Sequence, residues 1–70
     1  MSDHPLEKIS SICDELTEAM ALLEARIEEC QGRGGEHVEL EVALLKVALL
    51  QHQRRLASLQ MLQNKAVLLE

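Results

Sequence analysis

Apolar residues recur along this chain at alternating steps of three and four, which places them on one side of an α-helix. In the first half the row has no interruption and comprises Leu6, Ile9, Cys13, Leu16, Met20, Leu23, Ile27 and Cys30. The second half has a matching row, Val38, Val42, Leu45, Leu49 and Leu56, which His52 interrupts. Such spacing is typical of helices that pack in pairs, so we interpret the two rows as the two sides of one interface.

Glycine separates the two rows. Three glycines fall within residues 32–35, and each costs a helix about 1 kcal/mol relative to alanine. Pro5 suits the first position of a helix and marks its start. We therefore predict an all-α fold, a coiled-coil-like antiparallel hairpin of two helices in a single domain over residues 1–70. Helix one covers about residues 5–31, a Gly-rich turn covers 32–35, and helix two covers about 36–69.

Helix two carries more apolar surface than one neighbouring helix can cover. Leu40, Leu44 and Val47 are centred about 150° around the helix from its first row, and Leu50 widens this second stripe. We predict that Leu40, Leu44, Val47 and Leu50 bind a partner, and that a charge at Leu44 breaks association but spares the hairpin. Further apolar residues lie outside the rows: Ile12, Ala19, Leu22, Met61, Leu62, Val67, Leu68 and Leu69.

The chain is too short to bury a large core alone. It has 70 residues and no Trp, Tyr or Phe. Ordering costs roughly 1.5 kcal/mol per residue, so the stability of an isolated two-helix hairpin is close to zero. We expect a partner to stabilise it, either a second copy or a different protein. Isolated protein is expected to form a homodimer, with a four-helix bundle as the simplest arrangement.

Charge and hydropathy limit the classes of partner. The net charge is −5, and residues 3–29 carry eight acidic residues against two bases, Lys8 and Arg26. The remaining bases are scattered, so a nucleic-acid partner is not expected. The longest apolar runs, 42–45 and 47–50, are far below the roughly 20 residues of a membrane span. With no signal-peptide pattern, we expect a cytoplasmic protein and no membrane partner.

Chemistry is poorly represented. The three histidines do not pair at a helical spacing, and Cys30 with His37 supplies two ligands where zinc sites use three or four. We predict no metal, no cofactor and no catalytic residue. Cys13 and Cys30 lie about 25 Å apart along one predicted helix, too far for a disulfide. We interpret both as small apolar core residues, with a reactive thiol or an intermolecular disulfide as the alternative.

The segment 16–59, an apolar and acidic helix, a turn with Arg33-Gly34-Gly35 and a long second helix, resembles the small co-chaperones of the type III secretion needle subunit (the YscE/PscE/EscE type). An early Leu6-Glu7 pair is shared as well. The resemblance implies a cytoplasmic bacterial protein without enzymatic activity. It would bind a tetratricopeptide-like chaperone, and the pair would hold the needle subunit unpolymerised. The family carries aromatic residues in its second helix and this chain has none, so no docking residue is carried over.

A second hypothesis comes from another class of protein. A coiled-coil structural or regulatory module would use the same apolar surfaces to form a functional homo-oligomer. Gain of stability with a co-expressed chaperone would favour the co-chaperone. Cooperative unfolding that depends only on the concentration of the chain itself would favour the oligomer.

Overall fold

The computed structural model describes residues 4–69, which form two α-helices and no strand. The first, α1, spans Pro5–Arg33, and the second, α2, spans Val38–Leu69. They lie side by side in antiparallel directions and form a rod of 53 × 21 × 13 Å. The predicted all-α hairpin is confirmed.

The start of α1 follows from its first two residues. His4 has an extended backbone and caps the helix, since its Nδ1 accepts a hydrogen bond from the Leu6 N–H at 3.2 Å. Pro5 occupies the first helical turn, where the missing N–H costs nothing. The predicted start at Pro5 agrees with the structure.

The turn lies two residues later than predicted. The α1 helix continues through Gly32 to Arg33, and α2 begins at Val38, so the connection covers residues 34–37. Gly34 ends α1, because its N–H donates to the Cys30 carbonyl at 3.1 Å and its φ of 70° turns the chain away. Gly35 follows with a φ of 128°. Only these two glycines need a backbone that other residues avoid, and the first of the three is simply helical.

The interior is a single apolar interface. Ile27, Cys30 and Val42 form a buried cluster near the turn, and Leu16 is buried farther along the rod. Packed against the cluster are Val38, Leu45 and Leu49. Every member of the two predicted rows is buried or half-buried, so the predicted faces are the ones that meet.

The interface also continues beyond the predicted row of α2. His52 stays within it, half-buried, with its Nδ1 2.7 Å from the Ala48 carbonyl oxygen. That local hydrogen bond satisfies the ring nitrogen without a partner from α1. Beyond it, Leu59, Gln63 and Ala66 are half-buried at the same helical spacing. The interface therefore extends almost to the end of α2.

Candidate protein-binding surface

A row of exposed apolar side chains runs along the first half of α2. It consists of Leu40, Leu44, Val47 and Leu50, with exposed fractions of 61%, 63%, 54% and 46%. We call these four residues the outer row. They are the residues predicted to bind a partner, and the structure leaves all four uncovered.

The outer row is a consequence of two apolar periodicities on one helix. Val42 and Leu45 turn to α1, with Val42 in the buried cluster and Leu45 packed against it. Leu44 lies between them in sequence but is rotated away from both, at 100° per residue. Because α1 holds the opposite side of α2, the outer row stands on a helix that is already ordered. In the folded hairpin, a partner would therefore meet four side chains whose backbone is already helical.

A polar cluster ties the helices together beside the turn. The Arg33 guanidinium lies 3.4 Å from the Glu41 carboxylate and 4.0 Å from that of Glu29. The buried Cys30 thiol donates to the same Glu41 carboxylate at 3.5 Å. Arg33 Nη2 also approaches Cys30 Sγ at 3.7 Å. The cluster closes the hairpin end, and sequence reasoning missed it because Arg33 was placed in the turn.

Two open grooves lie between α1 and α2 near the turn, and of the outer row Leu44 lines one of them. One is lined by Gln31, Val38, Glu39, Val42, Ala43 and Lys46. The other is lined by Arg26, Glu29, Cys30, Arg33, Glu41, Leu44 and Leu45. Each combines apolar walls with charges at its rim.

The other apolar residues outside the predicted rows differ in how far the structure buries them. Ile12 and Ala19 are half-buried and belong to the hairpin interface. Leu22 stands alone on α1 with an exposed fraction of 68%. The last turns of α2 expose Met61, Leu62, Val67, Leu68 and Leu69. Apolar surface is thus left over on α2 in two patches, separated by the polar stretch 51–55.

Both cysteines are free thiols, buried at Cys30 and half-buried at Cys13, as the core interpretation expects. Among residues 4–69 no group of three His, Cys, Asp or Glu side chains is arranged to hold a metal ion. Neither helix, over the same residues, is long and apolar enough to cross a membrane. Within this part of the chain, exposed apolar surface on α2 is the candidate binding feature, and the outer row is the patch that the apolar spacing predicted to bind a partner.

Comparisons of this chain with protein-family models, with curated proteins and with solved structures find no match. The chemistry and the geometry of the outer row are therefore the basis for a function.

Proposed function

We propose that this chain is a non-enzymatic binding protein that docks on a helical partner through the outer row of α2. In its specific form, it is a co-chaperone in the bacterial cytoplasm. It binds a tetratricopeptide-like chaperone and helps keep a type III secretion needle subunit unpolymerised. The specific form comes from the resemblance of the segment 16–59.

One observation carries the general proposal: four large apolar side chains, each about half exposed or more, are lined up on one side of an ordered helix. Full burial of such a side chain stabilises by about 1.5–3 kcal/mol. Covering what remains exposed on the outer row would therefore contribute about 3–7 kcal/mol before the cost of association. An amphipathic helix in an apolar groove is a common mode of recognition, and stacked helical repeats supply concave surfaces of this kind.

The size of the hairpin supports the same proposal. Among residues 4–69 the buried hydrophobic side chains are few, namely Leu16, Ile27, Cys30 and Val42. Since so small an interior opposes the entropy cost of ordering only weakly, a ligand that binds the folded hairpin raises its stability by mass action. A co-chaperone of this type is stable in its complex and marginal alone.

The test is an affinity pull-down from the native host, with the full chain tagged and the recovered proteins identified by mass spectrometry. The proposal expects a helical-repeat protein and a needle-like subunit with the wild-type chain. Leu44→Glu should lose both. Leu22→Glu is the matched control, because Leu22 is as exposed as Leu44 but lies on α1.

Three results would count against the proposal. Recovery of the chain alone would favour the homo-oligomeric module. Recovery of the same partners by Leu44→Glu would remove the outer row from the interface. If Leu44→Glu unfolds the hairpin, which circular dichroism would show, the two sides of α2 have been assigned the wrong way round.

A further inference from the structure

The outer row has an acidic residue before its first member and a basic residue after its last member. Glu36 precedes it in the turn and Arg54 follows it on α2, and both are exposed. Within residues 4–69 neither forms an ion pair with the rest of the chain. Both stand at steps of seven from apolar members of the same surface: Arg54 from Val47 and Leu40, Glu36 from Ala43 and Leu50. Residues seven apart lie nearly above one another on a helix, so Arg54 continues the line of Leu40 and Val47, whereas Glu36 lies in the turn, two positions before α2 begins at Val38.

When two copies of α2 pair in antiparallel directions, the apolar residues and the charge at one end of the first copy face apolar residues and the opposite charge on the second copy. A two-fold axis level with Leu45 places residues equally far before and after Leu45 opposite each other. Leu40 then faces Leu50 of the second copy, and Ala43 faces Val47. The next layer outward pairs Arg54 with Glu36 of the second copy. The symmetry repeats each pair, so the apolar pairs have opposite charges at both ends, and the same axis sets Leu44 level with Lys46.

Other ways of pairing two copies bring like charges together. A parallel arrangement sets Arg54 against Arg54. An antiparallel arrangement shifted to cover the second apolar patch, at Met61 and Leu62, has its axis near residues 54 and 55 and gathers four arginines. Like-charge juxtaposition disfavours both arrangements. Of these three arrangements, the short overlap centred on Leu45 is the one that sets Leu40 against Leu50 and Arg54 against Glu36.

The position of α1 is compatible with this arrangement. Because the outer row lies on the side of α2 away from the buried Val42, a second copy of α2 can approach without meeting α1. The four helices then form one layer in the order α1, α2, α2, α1. This differs from a closed four-helix bundle, which would need the unpaired sides of both helices to point to a common centre.

We propose that a second copy of this chain covers the outer row in this antiparallel register, with Glu36 and Arg54 as the intermolecular ion pairs. The inference rests on the proposed function in that it takes the outer row as the binding surface. It adds an occupant for that surface when the partner is absent. The homodimer and the complex with a helical partner then exclude each other.

The test exchanges the two charges. Arg54→Glu should weaken the dimer about tenfold at low salt, since it replaces two attractions by two repulsions. Glu36→Arg should do the same. The double variant Glu36→Arg/Arg54→Glu restores both pairs and should dimerise like the wild type. An equimolar mixture of the two single variants should also associate, because each supplies the charge that the other lacks. Arg55→Glu, one position off the line, is the control and should stay within twofold of the wild type.

Sedimentation equilibrium over a range of protein concentrations gives the dissociation constants, and circular dichroism shows that each variant remains helical. Three results would overturn the register: a chain that is monomeric at every concentration, single variants that dimerise like the wild type, or a double variant that is not rescued. None of these would touch the binding of a different helical partner. That proposal fails by its own result, retention of the chaperone by Leu44→Glu.

Discussion

The position of the turn predicts that alanine substitutions at the three neighbouring glycines change the stability of the hairpin in different directions. Gly32 lies inside α1, whereas Gly34 and Gly35 have φ values of 70° and 128°. A Cβ built on any of the three meets nothing within 4 Å. Substitution by alanine therefore changes only the backbone energy, and the sign should differ between the first glycine and the other two.

The magnitudes follow from the backbone alone. In a helix interior, alanine is preferred over glycine by about 0.5–1 kcal/mol, and because Gly32 is the next-to-last residue of α1, Gly32→Ala should stabilise the hairpin by up to that amount. Gly34 combines its positive φ with a ψ of −170°, a region that is essentially restricted to glycine. Gly34→Ala should cost about 1–3 kcal/mol. In a chain of this size, 1 kcal/mol moves the melting temperature by roughly 4–8 °C.

The assay is thermal unfolding followed by circular dichroism at 222 nm. Both variants and the wild type must be measured at one protein concentration, because self-association would also shift the melting temperature. The melting temperature should rise for Gly32→Ala and fall for Gly34→Ala. Destabilisation by Gly32→Ala would place that residue in the turn, as the sequence pattern indicated, and would refute the helix boundary described above.

Two further predictions concern the interior. Leu16→Ala should lower the free energy of unfolding by about 2–4 kcal/mol and abolish most of the helicity, whereas Leu22→Ala should change it by less than about 0.5 kcal/mol. Chemical denaturation of the two variants measures the difference. Equal effects would contradict the assignment of Leu16 to the interior and Leu22 to the surface. A thiol reagent should modify the half-buried Cys13 before the buried Cys30 in the native protein. Mass spectrometry after limited labelling gives the order of modification. Equal rates would show that the buried cluster near the turn opens as readily as the surface around Cys13.

The sequence was sufficient for the hairpin interface because apolar spacing and helix geometry are directly linked. Every residue of the two predicted rows is at least half-buried, and the uncovered stripe on α2 contains the four residues expected there. Whether Leu40, Leu44, Val47 and Leu50 bind a partner stays a prediction, since an exposed surface does not identify what covers it.

The details near the turn could not be predicted in the same way. Three glycines in four residues mark a break, but which of them take a positive φ depends on the contacts of the neighbouring side chains. Here Arg33 remains helical while its guanidinium lies beside both Glu29 and Glu41. The pairing of residues 33 and 41 links positions that only the folded turn brings together. Likewise, the extension of the interface past Leu56 was hidden by polar Gln63, which α2 tolerates at its half-buried edge.

The location of the buried cluster beside the turn has a consequence for how the chain folds. Cys30 and Glu41, which are in contact, are separated by only eleven positions, so closing this end of the rod costs little loop entropy. Successive layers toward the chain ends join residues ever farther apart in sequence. We expect contacts between α1 and α2 to form first beside the turn and then one layer after another toward the other end of the rod. The folding rate should be typical of proteins whose contacts are local. The parts of α1 and α2 farthest from the turn would pair last and separate first, and a competing helix would displace α1 most readily from there.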